Sequence, residues 1–230
     1  MKQLNIHTHH YDAQSDAIQV LSLEALDFLA LSCSGVSVGA ESSLKSVDEA
    51  RPAAVRSAFE NYAAGFPSNV YFSVGIHPWK AASVEARSLL DDSGAFTQAS
   101  LEAFRSLLQH PRVVLMGEIG LDKLCDAPYE QQLILFQQQL RLAAALKKPV
   151  ILHVVKAMDD VLALHKRFAS DIPVWIIHGF RGNAQQAQQY LRHGFRLSFG
   201  PHHQAAALNA CPPDRRFFET DDEEPTSGQK

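Results

Sequence analysis

The sequence predicts an α/β fold, a (β/α)8 TIM barrel, on three observations. Eight short apolar runs recur along the 230 residues. Stretches with apolar side chains three and four positions apart, the spacing of amphipathic helices, separate most of them. The runs are continuously apolar rather than alternating, as parallel strands buried on both faces must be. Eight strands in one unit spanning residues 1–230 favour closure over an open sheet, and α/β barrels of this length are commonly single domains.

The runs are LNIH (4–7), AIQVLSL (17–23), VYFSVGI (70–76), VVLMGEI (113–119), PVILHVV (149–155), PVWIIHG (173–179), FRLSFG (195–200) and RFFET (216–220). Between the second and third lies a mixed segment, 24–66, with one helix expected near 47–63. SLEAFRSLLQ (100–109) places Leu101, Phe104, Leu107 and Leu108 on one face. The longer stretch 127–148 does the same with Leu133, Phe136, Leu140 and Ala143. MDDVLALHKRFA (158–169) and NAQQAQQYLRHG (183–194) follow suit, the second closed by Gly194, a favoured residue just past a helix end. After RFFETD only nine polar residues remain, so the helix expected to cover the eighth strand is missing from the pattern.

Composition excludes several classes. Apolar residues make up 46% and charged residues 20%, an ordinary soluble composition. No apolar stretch approaches the roughly 18 residues of a membrane span, and no signal peptide is evident at the start. Cys33, Cys125 and Cys211 are odd in number and far apart, which argues against a disulfide framework and for the reducing cytoplasm. The formal net charge is −4, with no basic cluster to grip a nucleic-acid duplex by charge alone.

Placed on the strands, the polar residues converge. His7 and His9, two apart, face the same way. Glu118, His153, His178 and Asp221 each stand near the end of a further strand. In a barrel of this kind, strand C-terminal ends form the rim that carries the active site. Any one of these residues alone has a structural explanation, but burying them all without a shared purpose would cost about 1–3 kcal/mol for each unsatisfied group. Four imidazoles and two carboxylates suit two divalent ions, with zinc or manganese favoured by the histidines and magnesium by the carboxylates. Glu118 is the candidate bridge between the ions, and Asp221 a candidate ligand and proton acceptor. His77, after the third strand, and Lys156 and Arg181, three residues past His153 and His178, are candidates to contact substrate. His10 is an alternative ligand in a shifted register. His202 and His203 follow the seventh strand and carry no assignment. His110, His165 and His193 read as surface residues.

In order, IHTHH, VGIHPW, GEIGLDK, KPVILHVVKA, IIHGFRGN, LSFGP and FFETDD resemble the TatD family of metal-dependent hydrolases, from residue 4 to about 222. The resemblance implies a barrel, a centre of two divalent ions (Mg, Mn or Zn), and hydrolysis of ester bonds, with single-stranded DNA trimmed from the 3′ end or another phosphodiester cut. It assigns His7 and His9 to one ion, His153 and His178 to the other, Glu118 to both, and Asp221 as the acid or base of the ETD motif. His77, Lys156 and Arg181 would lie near the substrate phosphate, Lys156 as a point charge where relatives often carry arginine. The rival expectations are a metallohydrolase of a small ester, amide or lactone, and an inactive barrel retained for binding.

Overall fold

The structure, a computed structural model, describes residues 4–29 and 44–220. Its strands are β1 (Leu4–Thr8), β2 (Ile18–Glu24), β3 (Val70–Gly75), β4 (Val113–Asp122), β5 (Val150–Val155), β6 (Trp175–Ile177), β7 (Arg196–Phe199) and β8 (Arg216–Thr220). Each pairs in parallel with the next, and β8 pairs with β1, so the sheet closes into a barrel. All eight expected strands are present. The helices are α1 (Leu26–Leu29), α2 (Leu44–Ala64), α3 (Val84–Ser88), α4 (Gln98–Leu108), α5 (Tyr129–Leu146), α6 (Met158–Phe168), α7 (Ala184–Arg192) and α8 (Ala205–Ala210). Four of the five longest are those the apolar spacing predicts, and α2 answers to the helix expected near 47–63. The shorter α1, α3 and α8 offer too few turns for a periodic signal. Most of LALSCSGVSV, and everything from Asp221 onward, lie outside the described residues, so the expectation of a missing last helix does too.

Two apolar layers sort the strand residues. Ile6, Val20, Leu115, Ile151 and Ile176 pack on one another from five strands, with Tyr71 and Phe217 against them, which places them in the barrel lumen. The larger cluster lies outside the wall, where Phe72, Met116, Leu152, Ile177 and Phe199 meet helix residues such as Phe59, Phe104, Phe136 and Tyr190.

Strand periodicity then determines what reaches the rim. Counting by two from the lumen residues gives Ser22 and Glu24 on β2, Ser73 and Gly75 on β3, His153 on β5, His178 past β6, and Glu219 on β8. His7 and Glu118 break this parity, being one and three positions beyond Ile6 and Leu115. Both strands carry the irregularity this requires. The register of β1 shifts between Asn5 and Thr8, and that of β4 between Met116 and Ile119. A shift of this kind re-aims side chains.

Candidate metal centre

Glu118 lies at the middle of the rim. Its carboxylate is 6% exposed and has five imidazoles around it. Oε2 is 3.5 Å from His7 Nε2 and 4.0 Å from His9 Nε2. Oε1 is 2.5 Å from His178 Nε2, 2.8 Å from His153 Nδ1 and 3.3 Å from His77 Nε2. The backbone beside it explains how such crowding is reached. Gly120 has φ +148°, and a Cβ there would sit 1.9 Å from the His153 carbonyl oxygen. Only glycine lets β4 approach β5 so closely.

The electrostatics follow from the crowding. Burial alone would raise the Glu118 pKa. The positive charge of His178 and hydrogen bonds from His153, His178 and His77 outweigh it and hold the carboxyl well below its ordinary range. Burial would likewise lower His178, but the Glu118 charge, hydrogen bonds to Glu118 and Glu219, and the Glu219 charge raise it well above the ordinary histidine value. Glu118 and His178 thus form a buried ion pair. His7 is pushed down to about 3, by burial first and by His178 second. Burial also lowers His77.

Two sets of donor atoms lie close enough to hold an ion. One is His7, Glu118 and His178, the other His77, Glu118 and His153. Nitrogen and carboxylate oxygen in these numbers suit divalent transition ions, and a carboxylate common to both sets suits a pair of them. The residues therefore fit a two-ion centre. The sets overlap with the expected grouping. His178 Nε2 is 3.5 Å from His153 Nδ1 and both meet Glu118 Oε1, so His153 and His178 stay together as expected, while His178 also falls with His7, and His77, expected beside substrate, falls in a candidate donor set. His9 lies at the edge, with its side chain 43% exposed. His10 is exposed and belongs to neither set.

Several rim residues escaped the reading of the sequence. Asp122, at the end of β4, has Oδ2 3.1 Å from His153 Nε2, and that oxygen also accepts a hydrogen bond from Trp79 Nε1 at 2.8 Å. A carboxylate on the far nitrogen of a ligand histidine fixes its tautomer and orientation. Glu219 accepts from the Gly179 amide at 2.6 Å and lies 3.7 Å from His178 Nδ1. Glu24 accepts from the amides of Leu26 and His77, each at 3.1 Å. Burial lifts Glu24 to about 7 despite those two bonds. The signal for Asp122 and Glu219 was present in the GEIGLD and ETD runs.

Beside the centre opens a cavity of about 310 Å³, lined by His9, Ser22, Glu24, His77, Trp79, Lys80, Glu118, His153 and His178 among others. Its lysine is Lys80. Lys156 is exposed just past β5, in left-handed backbone with φ 55°, and does not line the cavity. Arg181 is exposed and borders a smaller recess with Gly200, His202, His203 and Glu219. His110 and His165 are not surface residues. They are half-buried, His110 edge-on to Phe59 and His165 between Trp175 and Phe195.

Comparison with known proteins places the barrel in a family. The family described as TatD related DNase matches residues 6–230. The chain is 35% identical over 135 residues to "Uncharacterized metal-dependent hydrolase YjjV" of Escherichia coli, covering 57% of this chain and 47% of that protein. It is 32% identical over 171 residues to "3'-5' ssDNA/RNA exonuclease TatD" of Klebsiella pneumoniae, covering 67% and 57%. The chain spans about half the length of the curated relatives it matches. In fold it is similar to the crystal structure of the TatD homologue YjjV from E. coli, with a TM-score of 0.62 at 23% identity over 95% of this chain and 78% of that one. Among the described residues, no helix is long and apolar enough to cross a membrane. The chain belongs to the TatD-related DNase family.

Proposed function

We propose that the chain is a metal-dependent hydrolase that cleaves phosphodiester bonds at the 3′ end of single-stranded nucleic acid. The observation that carries this reading is one buried carboxylate, Glu118, shared by two sets of imidazoles at the mouth of a cavity. Bound there, two divalent ions would polarise a phosphoryl oxygen and lower the pKa of a water. His7, Glu118 and His178 would hold one ion, and His77, Glu118 and His153 the other, with His9 completing the first set. Asp122 keeps the His153 ring turned to its task. Asp221, outside the described residues, is proposed from the ETD motif as the group that takes the proton from the attacking water. Lys80 at the rim, with Lys156 and Arg181 further out, would offset phosphate charge. The names of relatives such as the Klebsiella exonuclease support the choice of substrate.

The test is degradation of single-stranded oligonucleotides labelled at either end, with Mg²⁺, Mn²⁺, Zn²⁺ or chelator. Metal-dependent loss from the 3′ end, absent in Glu118→Ala, is expected. Cleavage of small esters or lactones alone would move the reading to a small substrate. A protein that binds ions but cleaves neither would be the inactive barrel.

A further inference from the structure

Trp79 stands out among the exposed large apolar side chains. Among the described residues these are Tyr62, Trp79, Val84, Leu124 and Phe218, and of them Trp79 alone lines the cavity at the metal centre. The residue is 60% exposed, yet its indole is held on several sides. Nε1–H donates to Asp122 Oδ2 at 2.8 Å. The backbone amide donates to His77 Nδ1 at 3.3 Å, within the tight turn Pro78–Lys80. The ring meets His77 edge-on at 4.8 Å between centroids and His153 at 5.8 Å. An indole fixed by its polar edge, with most of its surface left to cavity and solvent, contributes little to the core. It does offer a flat aromatic surface whose ordering cost is met before any ligand arrives.

We infer that Trp79 is a stacking platform for a nucleobase, holding the nucleotide next to the scissile phosphate against the metal centre. The inference rests on the nucleic-acid reading above. It adds the part of the substrate that the ions do not touch. The centre grips phosphate, which every nucleotide shares, while Trp79 grips the base and so sets nucleotides apart from simple phosphodiesters. Stacking tolerates every base, so discrimination is expected between base and no base rather than among bases.

Two oligonucleotides test this, one ending in an ordinary 3′ nucleotide and one in a 3′ abasic residue, both with a phosphorothioate at the last linkage to slow cleavage. Binding is followed with Mn²⁺ by tryptophan fluorescence in a Trp175→Phe background, where Trp79 is the only indole. The base-bearing oligonucleotide should quench the emission and bind about 5- to 150-fold more tightly than the abasic one, the range of one base–aromatic stack. Anisotropy of a 5′ dye on the same oligonucleotides extends the comparison to variants lacking the indole. Trp79→Ala should erase the difference and Trp79→Phe should keep much of it. Both variants lose the bond to Asp122, so any disturbance of His153 cancels in that comparison. Equal affinities in the parent protein, or a gap that survives in Trp79→Ala, would overturn the proposal and leave the ring as a cover over His153. Failure of the hydrolase reading would show separately, as no metal-dependent release from the unmodified oligonucleotide while the fluorescence still reports stacking.

Discussion

The wall from β3 to β5 and the wall from β6 to β8 hold their site residues by different means. On the first, β4 runs for ten residues and α2, α4 and α5 are 21, 11 and 18 residues long. Two buried glutamines of α5 reach into the rim. Gln139 accepts from the Ile76 amide at 2.8 Å and donates to its carbonyl at 3.0 Å, fixing the residue before His77. Gln132 does the same for Asp122, at 2.8 and 2.9 Å. On the second, β6, β7 and β8 have three, four and five residues, and α8 has six. There His178 is held by Glu118 and Glu219, groups of the site itself. One wall is set by the scaffold and supports the chemistry. The other is set largely by the charges it brings to the chemistry.

The largest effect should come from the group both walls share. Glu118→Gln removes the negative charge from both donor sets, so turnover should fall by about 10⁴-fold or more, as when a core catalytic member is lost. Its sharper reading is hydrogen exchange. Amides around His178 and β8 should lose protection, while those of β3 to β5 keep theirs. Uniform loosening around the barrel would erase the contrast between the walls.

The converse variant acts through the scaffold. Gln139→Leu fills the same space but leaves the Ile76 amide and carbonyl unpaired in a buried place. At about 1–3 kcal/mol for each group, the fold should lose roughly 2–6 kcal/mol in denaturant melts. Metal affinity at the His77 set should fall more than at the His178 set, since only the former hangs from Ile76. Equal losses at both would show that the walls are not mechanically separate.

Protons report on the second wall. In the ion-free protein the raised His178 keeps its proton at neutral pH, opposite a Glu118 that stays ionised. An ion at that set must displace the proton, so affinity should rise with pH by up to about tenfold per unit while His178 remains protonated. Calorimetry in two buffers of different ionisation enthalpy should find nearly one proton released, and His178→Asn should abolish that release. The same pair sets the acid–base stability of the ion-free fold. His178, raised, stabilises fully below its unfolded value of 6.5, and this is lost as pH climbs through its folded value. Glu118, depressed, stabilises fully above 4.5, and this is lost as pH falls through its folded value. The pair therefore contributes most between pH 4.5 and 6.5, which a chelated sample followed across pH should show.

The sequence made the barrel legible because each strand is an unbroken apolar run, and it made the ligands legible because histidines end those runs. What it hid lies one to three residues further on. β4 extends to Asp122 and β2 to Glu24, whereas the apolar runs stop at Ile119 and Leu23. Strands continue past their last apolar residue at a rim, where side chains face one another instead of a core. The pairing of His77 with His153 was hidden for another reason. It depends on a register shift in β4 that turns Glu118 inward, and hydrophobic patterning carries no mark of such a shift. Trp79 carries no signal of its own in the sequence, because nothing local distinguishes an indole packed under a loop from one standing over a cavity.

The smallest effect isolates the difference between lumen and outer face within one strand. Phe217 and Phe218 are adjacent on β8, so they point to opposite sides. Phe217 packs against the lumen cluster of Ile6, Val20, Leu115, Ile151 and Ile176. Phe218 lies on the outer face, where its neighbour on β7 is Phe199, and remains 46% exposed. Truncating Phe217 to alanine should cost roughly 2–4 kcal/mol, somewhat under the range for a fully buried phenylalanine because it is only partly enclosed. Truncating Phe218 should cost only about 1 kcal/mol, since much of its ring gains nothing from folding. Urea melts of the two variants should therefore differ in midpoint, with Phe217→Ala the lower. If Phe218→Ala proves as damaging as Phe217→Ala, then the outer face of β8 is covered in solution, and the second wall is thicker than the described residues make it.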